Sequence, residues 1–235
     1  MPSGTSIGFP KKVPPPMDQS CVLYYKMDEA SGDIKDWSVN NNTGKATDLT
    51  YSQTGKFGTA CLFNGTTSFV DGGNGASLNF ERTDPFTISI WASLISLTGS
   101  DDDLISKMDA NSPFRGYTLT LATGGVLIFY LINSYSSNCI KVTFDGTYLD
   151  SVMRNYVVVY DGSSDAHNIK CYVNGVNTSF VVGYDSLSGT TQTAVNLNIG
   201  RRQNSRYLNA TIDEVRIYNR ALTASEVKQL YMAGR

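Results

Sequence analysis

From Cys21 onward the chain is built of short runs in which apolar and polar residues alternate, the period that buries one face of a β-strand and exposes the other. Phe86, Ile88, Ile90 and Ala92 share one face of such a run, and Thr87, Ser89 and Trp91 share the other. The same alternation groups Tyr117, Leu119 and Leu121, then Ile140, Val142 and Phe144, then Ile169, Cys171 and Val173, then Val195, Leu197 and Ile199. Two runs, Val126 to Ile132 and Tyr156 to Tyr160, are apolar throughout and read as strands covered on both faces. Pairs such as Asn64-Gly65, Asp145-Gly146 and Asn174-Gly175 punctuate the runs with residues that tolerate positive φ, and Asn174-Gly175 marks the clearest hairpin. This is the pattern of an all-β antiparallel sandwich or barrel.

One helix closes the chain. Thr223 is placed to cap it, Glu226 to bond back to the cap amide, and Val227, Leu230 and Tyr231 fall on one face. No solenoid or propeller repeat and no linker interrupts residues 21–235, which are therefore expected to form a single domain. Residues 1–20 differ: they carry five of the seven prolines, favour extended backbone and cannot enter a central strand. They are expected to form an arm, either a disordered leader or a strap in which Phe9, Pro10, Pro14, Pro15 and Pro16 dock against a larger partner.

Composition narrows the partners. With 19 Lys+Arg against 21 Asp+Glu there is no basic field to hold nucleic acid or an anionic membrane. No apolar stretch approaches the roughly 20 residues of a spanning helix, so no membrane insertion is expected, and the start of the chain shows no secretory leader. The four cysteines stand singly in apolar runs without metal-site spacing, which suits small core hydrophobes; a disulfide stays open.

The stretch from Thr211 to Tyr231, TIDEVRIYNRALTASEVKQLY, closely resembles the C-terminal signature of the laminin-G-like, concanavalin A-like lectin/glucanase family. Further matches follow the family's order: Tyr25 to Gly32 with Asp36, Gly55 to Gly65, Phe86 to Trp91, Leu104 to Lys107, Tyr172 to Gly175 and Asn198 to Arg201. The resemblance implies a jelly-roll of two stacked antiparallel sheets that often binds carbohydrate or protein and often carries a structural calcium. The calcium ligands it implies are Asp36, Asn64 and Asp213. Two departures fall there: Trp37-Ser-Val-Asn follows Asp36 where the family has Ser-Gly, and Asn64 stands where the family has Asp. Alternation puts Asp213 on the face of Val215 and Ile217, where a carboxylate needs either a cation such as calcium or loop amides as partners.

Asp101-Asp102-Asp103 reads as a solvated loop, and His167 as a turn histidine with no nucleophile around it. The Glu-x-Asp-x-x-Glu strand of glucanases on this fold is absent, and the adjacent pair Asp213-Glu214 points to opposite faces, so no enzyme is expected. For sugar recognition the richest loop holds Arg201, Arg202, Arg206 and Tyr207, with Tyr135 on another. The expected function is a non-enzymatic, lectin-like binding or display module. The leading context is a virion decoration or fibre protein, anchored by its arm to a capsid or fibre, displayed on the virion surface or otherwise extracellularly, and open to homo-oligomer formation. The alternatives are a cell-surface or secreted carbohydrate-binding module and, more remotely, a glycoside hydrolase.

Overall fold

The computed structural model describes residues 18–233, so the arm residues Phe9, Pro10, Pro14, Pro15 and Pro16 lie outside the described residues. Sixteen strands run in chain order: β1 (Cys21–Tyr25), β2 (Lys45–Thr47), β3 (Thr50–Thr54), β4 (Thr59–Asn64), β5 (Phe69–Gly73), β6 (Phe86–Ser96), β7 (Asp101–Met108), β8 (Gly116–Ala122), β9 (Val126–Ser134), β10 (Asn138–Phe144), β11 (Arg154–Tyr160), β12 (Lys170–Val173), β13 (Val176–Thr178), β14 (Phe180–Asp185), β15 (Leu197–Ile199) and β16 (Asn209–Tyr218); helix α1 (Ala224–Met232) follows. Sheet one has the order β13-β12-β11-β6-β16-β4-β3, with β1 also paired to β16. Sheet two has the order β14-β10-β9-β8-β7-β15-β5-β2. The ladders are antiparallel and the architecture is the jelly-roll sandwich.

Alternation decides what each sheet turns inward. Ile88, Ile90, Ala92 and Leu94 of β6 meet Leu119, Leu121, Phe129 and Leu131 of sheet two in one continuous core. Phe86 links the layers: its ring stacks on Phe80 at 4.7 Å and reaches Tyr117 at 5.4 Å and Phe129 at 6.2 Å. Burying a side chain of this size is worth about 1.5–3 kcal/mol, so truncating Phe86 loosens both sheets together.

The outer face of sheet one is covered by α1. Val157, Val159 and Tyr172 pack under Val227 and Leu230, while the ring of Tyr231 stacks on Trp91 at 5.8 Å. The cap forms as expected: the Thr223 hydroxyl accepts from the Glu226 amide, and the Glu226 carboxylate accepts from the Thr223 amide at 2.8 Å. Asn174 and Gly175, both at positive φ, turn β12 into β13. All four cysteines are buried free thiols.

Three expectations are corrected. Asp101–Asp103 is the start of β7, and Asp102 and Asp103 are fully buried, because Thr98 in the preceding turn hydrogen-bonds Asp102 and Arg202, distant in sequence, pairs with Asp103. The β9 run from Val126 to Ile132 is covered on both faces except at Val126 and Tyr130, which are half-buried, and Tyr130 opens outward. Val195 lies outside β15.

Candidate functional site

The outer face of sheet two carries a recess of about 120 Å³ lined by Asp101, Met108, Phe114, Tyr130, Ile132, Tyr135, Arg202 and Arg206. Its polar side follows from the pleat of β7. Asp103 lies opposite Thr120 and Asp101 opposite Ala122, while Asp102 pairs with the inward Leu121. Asp101 and Asp103 therefore share the outer face, and Asp102 turns inward to accept from the Thr98 amide (2.6 Å) and hydroxyl (2.9 Å).

Above them the loop between β15 and β16 folds back on itself through paired Arg202 and Ser205 backbone bonds, both 2.9 Å. It drops two guanidinium groups onto the aspartates. Arg202 donates through Nε (2.8 Å) and Nη2 (3.2 Å) to the Asp103 carboxylate, which also accepts from the Thr118 hydroxyl at 3.0 Å. This pair is almost wholly buried, whereas Arg206, donating to Asp101 at 2.5 Å, keeps about a third of each partner in solvent. The Asp103 amide donates to the Arg206 carbonyl at 3.1 Å and fixes the loop on the sheet.

The opposite side is aromatic. Tyr130 projects outward between the inward Phe129 and Leu131, and Tyr135 in the following turn is held by its amide, which donates to the Pro113 carbonyl at 3.1 Å. Tyr135 meets Phe114, Tyr130 and Tyr184 edge to face at 6.2, 6.1 and 5.8 Å and stays 45% exposed. Burial pushes the Tyr130 and Tyr135 phenols above their ordinary range, so both are neutral donors at physiological pH. A rigid apolar wall thus faces planar polar groups across a small space, the arrangement that takes the C–H face and the hydroxyl edge of a ring at once.

Of the expected ligand-binding residues, Tyr135, Arg202 and Arg206 come together here. Arg201 and Tyr207 do not line the recess: the Arg201 guanidinium lies 3.2 Å over the Phe69 ring, bonds Asn198 at 2.9 Å and donates to the Tyr207 hydroxyl at 3.3 Å. Tyr130 and Phe114 join the recess with no motif to mark them in the sequence, and Asp101 joins it from the acidic run read as a solvated loop. Tyr130 was legible in principle, as the hydroxyl-bearing residue of opposite parity to Leu127, Phe129 and Leu131.

The residues named for calcium do not fit it as one site. Asp36 accepts from the amides of Tyr24 (2.9 Å), Ser38 (2.8 Å) and Asn42 (2.8 Å) and from the Ser38 hydroxyl (2.8 Å). Asn64 Oδ1 accepts from the amides of Thr66, Thr67 and Ser68. Both oxygen sets face N–H donors, where a cation needs free lone pairs. Asn64 pairs with Asn209, four residues along β16 from Asp213 and roughly 13 Å away at ~3.3 Å per residue.

Asp213 also departs from its expected face. The β16–β6 register steps from Asp213 opposite Trp91 to Arg216 opposite Ser89, and Glu214 at φ 53° takes up the extra residue. Asp213 consequently joins Trp91 on the outer face of sheet one, apart from Val215 and Ile217 in the core. It accepts there from the amides of Lys56 (2.7 Å) and Phe57 (3.0 Å), and its Oδ1 is buried without a partner. Glu214 is buried too, bonded by Tyr24 and Arg216. His167 stands in an exposed turn, 3.1 Å from Asp165 and 3.2 Å from Asp185, the one such cluster with metal-ligand spacing among the described residues.

A family model of the concanavalin A-like lectin/glucanases superfamily matches residues 64–228. No curated protein matches the chain. Among solved structures, the binding domain of Paraclostridial Mosquitocidal Protein 1 superposes with a TM-score of 0.71 at 20% identity over 92% of this chain, which spans about half (52%) of that one. The botulinum neurotoxin serotype G binding domain gives 0.67 at 14% identity, covering 90% of this chain and 50% of the toxin chain. Domain 4 of AbnA, a GH43 extracellular arabinanase from Geobacillus stearothermophilus solved with arabinotriose, gives 0.65 at 20% identity, covering 91% and 98%. At these identities the likeness is one of fold.

Proposed function

The chain belongs to the concanavalin A-like lectin/glucanases superfamily, and we propose that it is a non-catalytic carbohydrate-binding domain whose ligand seats on the outer face of sheet two. The observation that carries this reading is the aromatic wall of Phe114, Tyr130 and Tyr135 set against the Arg202–Asp103 and Arg206–Asp101 pairs in a recess the size of a sugar ring. The complex of AbnA domain 4 with arabinotriose, on the same fold, supports it. Binding is favoured over hydrolysis because Asp101, the carboxylate lining the recess, and Asp103, buried on the same face of β7, are each tied to a guanidinium, whereas glycosidases need one carboxyl to protonate the leaving oxygen and another to attack or activate water. A broad glycan array probed with the full chain tests the reading: reproducible capture by at least one glycan class is expected, and a blank array at high protein density would sink it.

We further propose display on a larger protein assembly, a capsid or fibre, through residues 1–20. The described chain enters at Asp18 and Ser20, which bond Arg220 at 2.9 and 2.8 Å beside α1, on the sheet-one side of the sandwich. The recess lies on the opposite face, so a copy anchored at that entry presents its pocket outward. Many such copies would raise weak sugar binding by avidity. Incorporation into the assembly is expected to fall when residues 1–17 are deleted, and equal incorporation of the truncated chain would reject the anchoring idea.

A further inference from the structure

We propose that the recess accepts a single neutral sugar unit and discriminates against uronic and sialic acids, an inference that rests on the carbohydrate reading above. The first argument is charge. Arg202 and Arg206 are the cations lining the recess, and each is already neutralised, one by Asp103 in a bidentate pair and one by Asp101. A sugar carboxylate reaching for Arg206 would lie beside Asp101, and reaching for Arg202 would have to displace a buried, hydrogen-bonded partner. Sugar hydroxyls meet no such opposition, since they donate to the Asp101 oxygens and accept from guanidinium N–H groups. Lys141 rides over the rings of Tyr130 and Tyr184, 5.7 and 5.9 Å from their centroids, and does not line the recess.

The second argument is size and surface. A volume of about 120 Å³ admits no more than one ring, well below the ~300 Å³ at which pockets hold drug-sized ligands. Phe114, Tyr130, Tyr135, Ile132 and Met108 present an apolar wall that suits a pyranose or furanose face of C–H bonds. The ligand is therefore one unit of a chain whose remainder lies in solvent.

The test uses the full chain and matched ligands that differ by one carboxylate. Calorimetry and saturation-transfer NMR would compare the methyl glycosides of glucose and galactose with those of glucuronic and galacturonic acid, with methyl arabinoside, methyl mannoside and N-acetylneuraminic acid alongside. At least one neutral glycoside is expected to bind, and the acids to bind about tenfold more weakly. In Asp101→Asn, which leaves Arg206 uncompensated, the acid-to-neutral ratio is expected to rise by about tenfold. An acid that binds the native chain as well as its neutral counterpart, or a ratio unmoved by Asp101→Asn, overturns the neutral-sugar inference while leaving the pocket itself in place. If none of the sugars binds, the inference and the carbohydrate reading fall together.

Discussion

Asp213 lies directly opposite Trp91 on the outer face of sheet one, although strict alternation would set it in the core beside Val215. The cause is the extra residue Glu214, whose left-handed backbone turns the strand by half a period. The bulge falls where the partner of β16 changes from β4, which ends its pairing at Ile212, to β1, which begins at Val215. The carboxylate is thereby placed under the Lys56 and Phe57 amides rather than among aliphatic side chains.

That placement has a pH signature. Burial raises the Asp213 carboxyl to about 7, opposed by the two amides and aided by Glu214, itself raised by burial. A folded-state value above the unfolded ~3.9 gives stability that is full below pH ~4 and is lost as pH rises through about 7. Asp213→Asn keeps an oxygen for both amides and removes the titration. Melting temperatures of the variant relative to the native chain are expected to climb between pH 4 and 7 and then level off. A difference flat across that window would contradict the assignment.

What was legible in the sequence follows from what is local. Ile88, Ile90 and Ala92 declare an inward face through their own spacing, and Thr223 with Glu226 declares a cap across three residues. Asp103 could not be read the same way, because the Arg202 that makes it a buried strand residue is 99 positions away. The bulge at Glu214 carries no composition signal, since its left-handed backbone is occupied by an ordinary residue rather than glycine. Tyr135, Arg202 and Arg206 were found by residue type in loops, but Tyr130 was hidden in an apolar run, and only the fold separates Arg201 and Tyr207 from the recess.

The two outer aspartates of β7 predict opposite energetics. Asp103→Ala strands a buried guanidinium, so a loss of about 3–5 kcal/mol is expected. Asp101→Ala breaks a pair that solvent already screens, and about 0–1 kcal/mol is expected. Urea unfolding of the two variants decides it; equal losses would mean that the buried pair is not held as described.

The capping box is separable from the sandwich. Thr223→Ala removes the acceptor for the Glu226 amide, a change worth about 1 kcal/mol and a fall in melting temperature of about 2–4 °C. Because Tyr231 of α1 stacks on Trp91, acrylamide quenching of tryptophan emission is also expected to increase. A variant with lowered stability and unchanged quenching would show the helix still seated.

The pocket itself is tested by two tyrosines of similar character in different places. Tyr135 forms the exposed edge of the aromatic wall, touching Phe114, Tyr130 and Tyr184, so Tyr135→Ala removes a stacking surface worth about 1 kcal/mol or more. Sugar affinity is expected to fall roughly fivefold or further. Tyr207 accepts from Arg201 outside the recess, so Tyr207→Ala is expected to leave affinity within about twofold of native. Titration of both variants with one glycan taken from the array makes the comparison, with circular dichroism to show that each is folded. Loss of binding in Tyr207→Ala with retention in Tyr135→Ala would move the ligand from the recess to the Arg201–Tyr207 platform, where Phe69 and Asn198 would replace Tyr130 and Asp101 as its contacts.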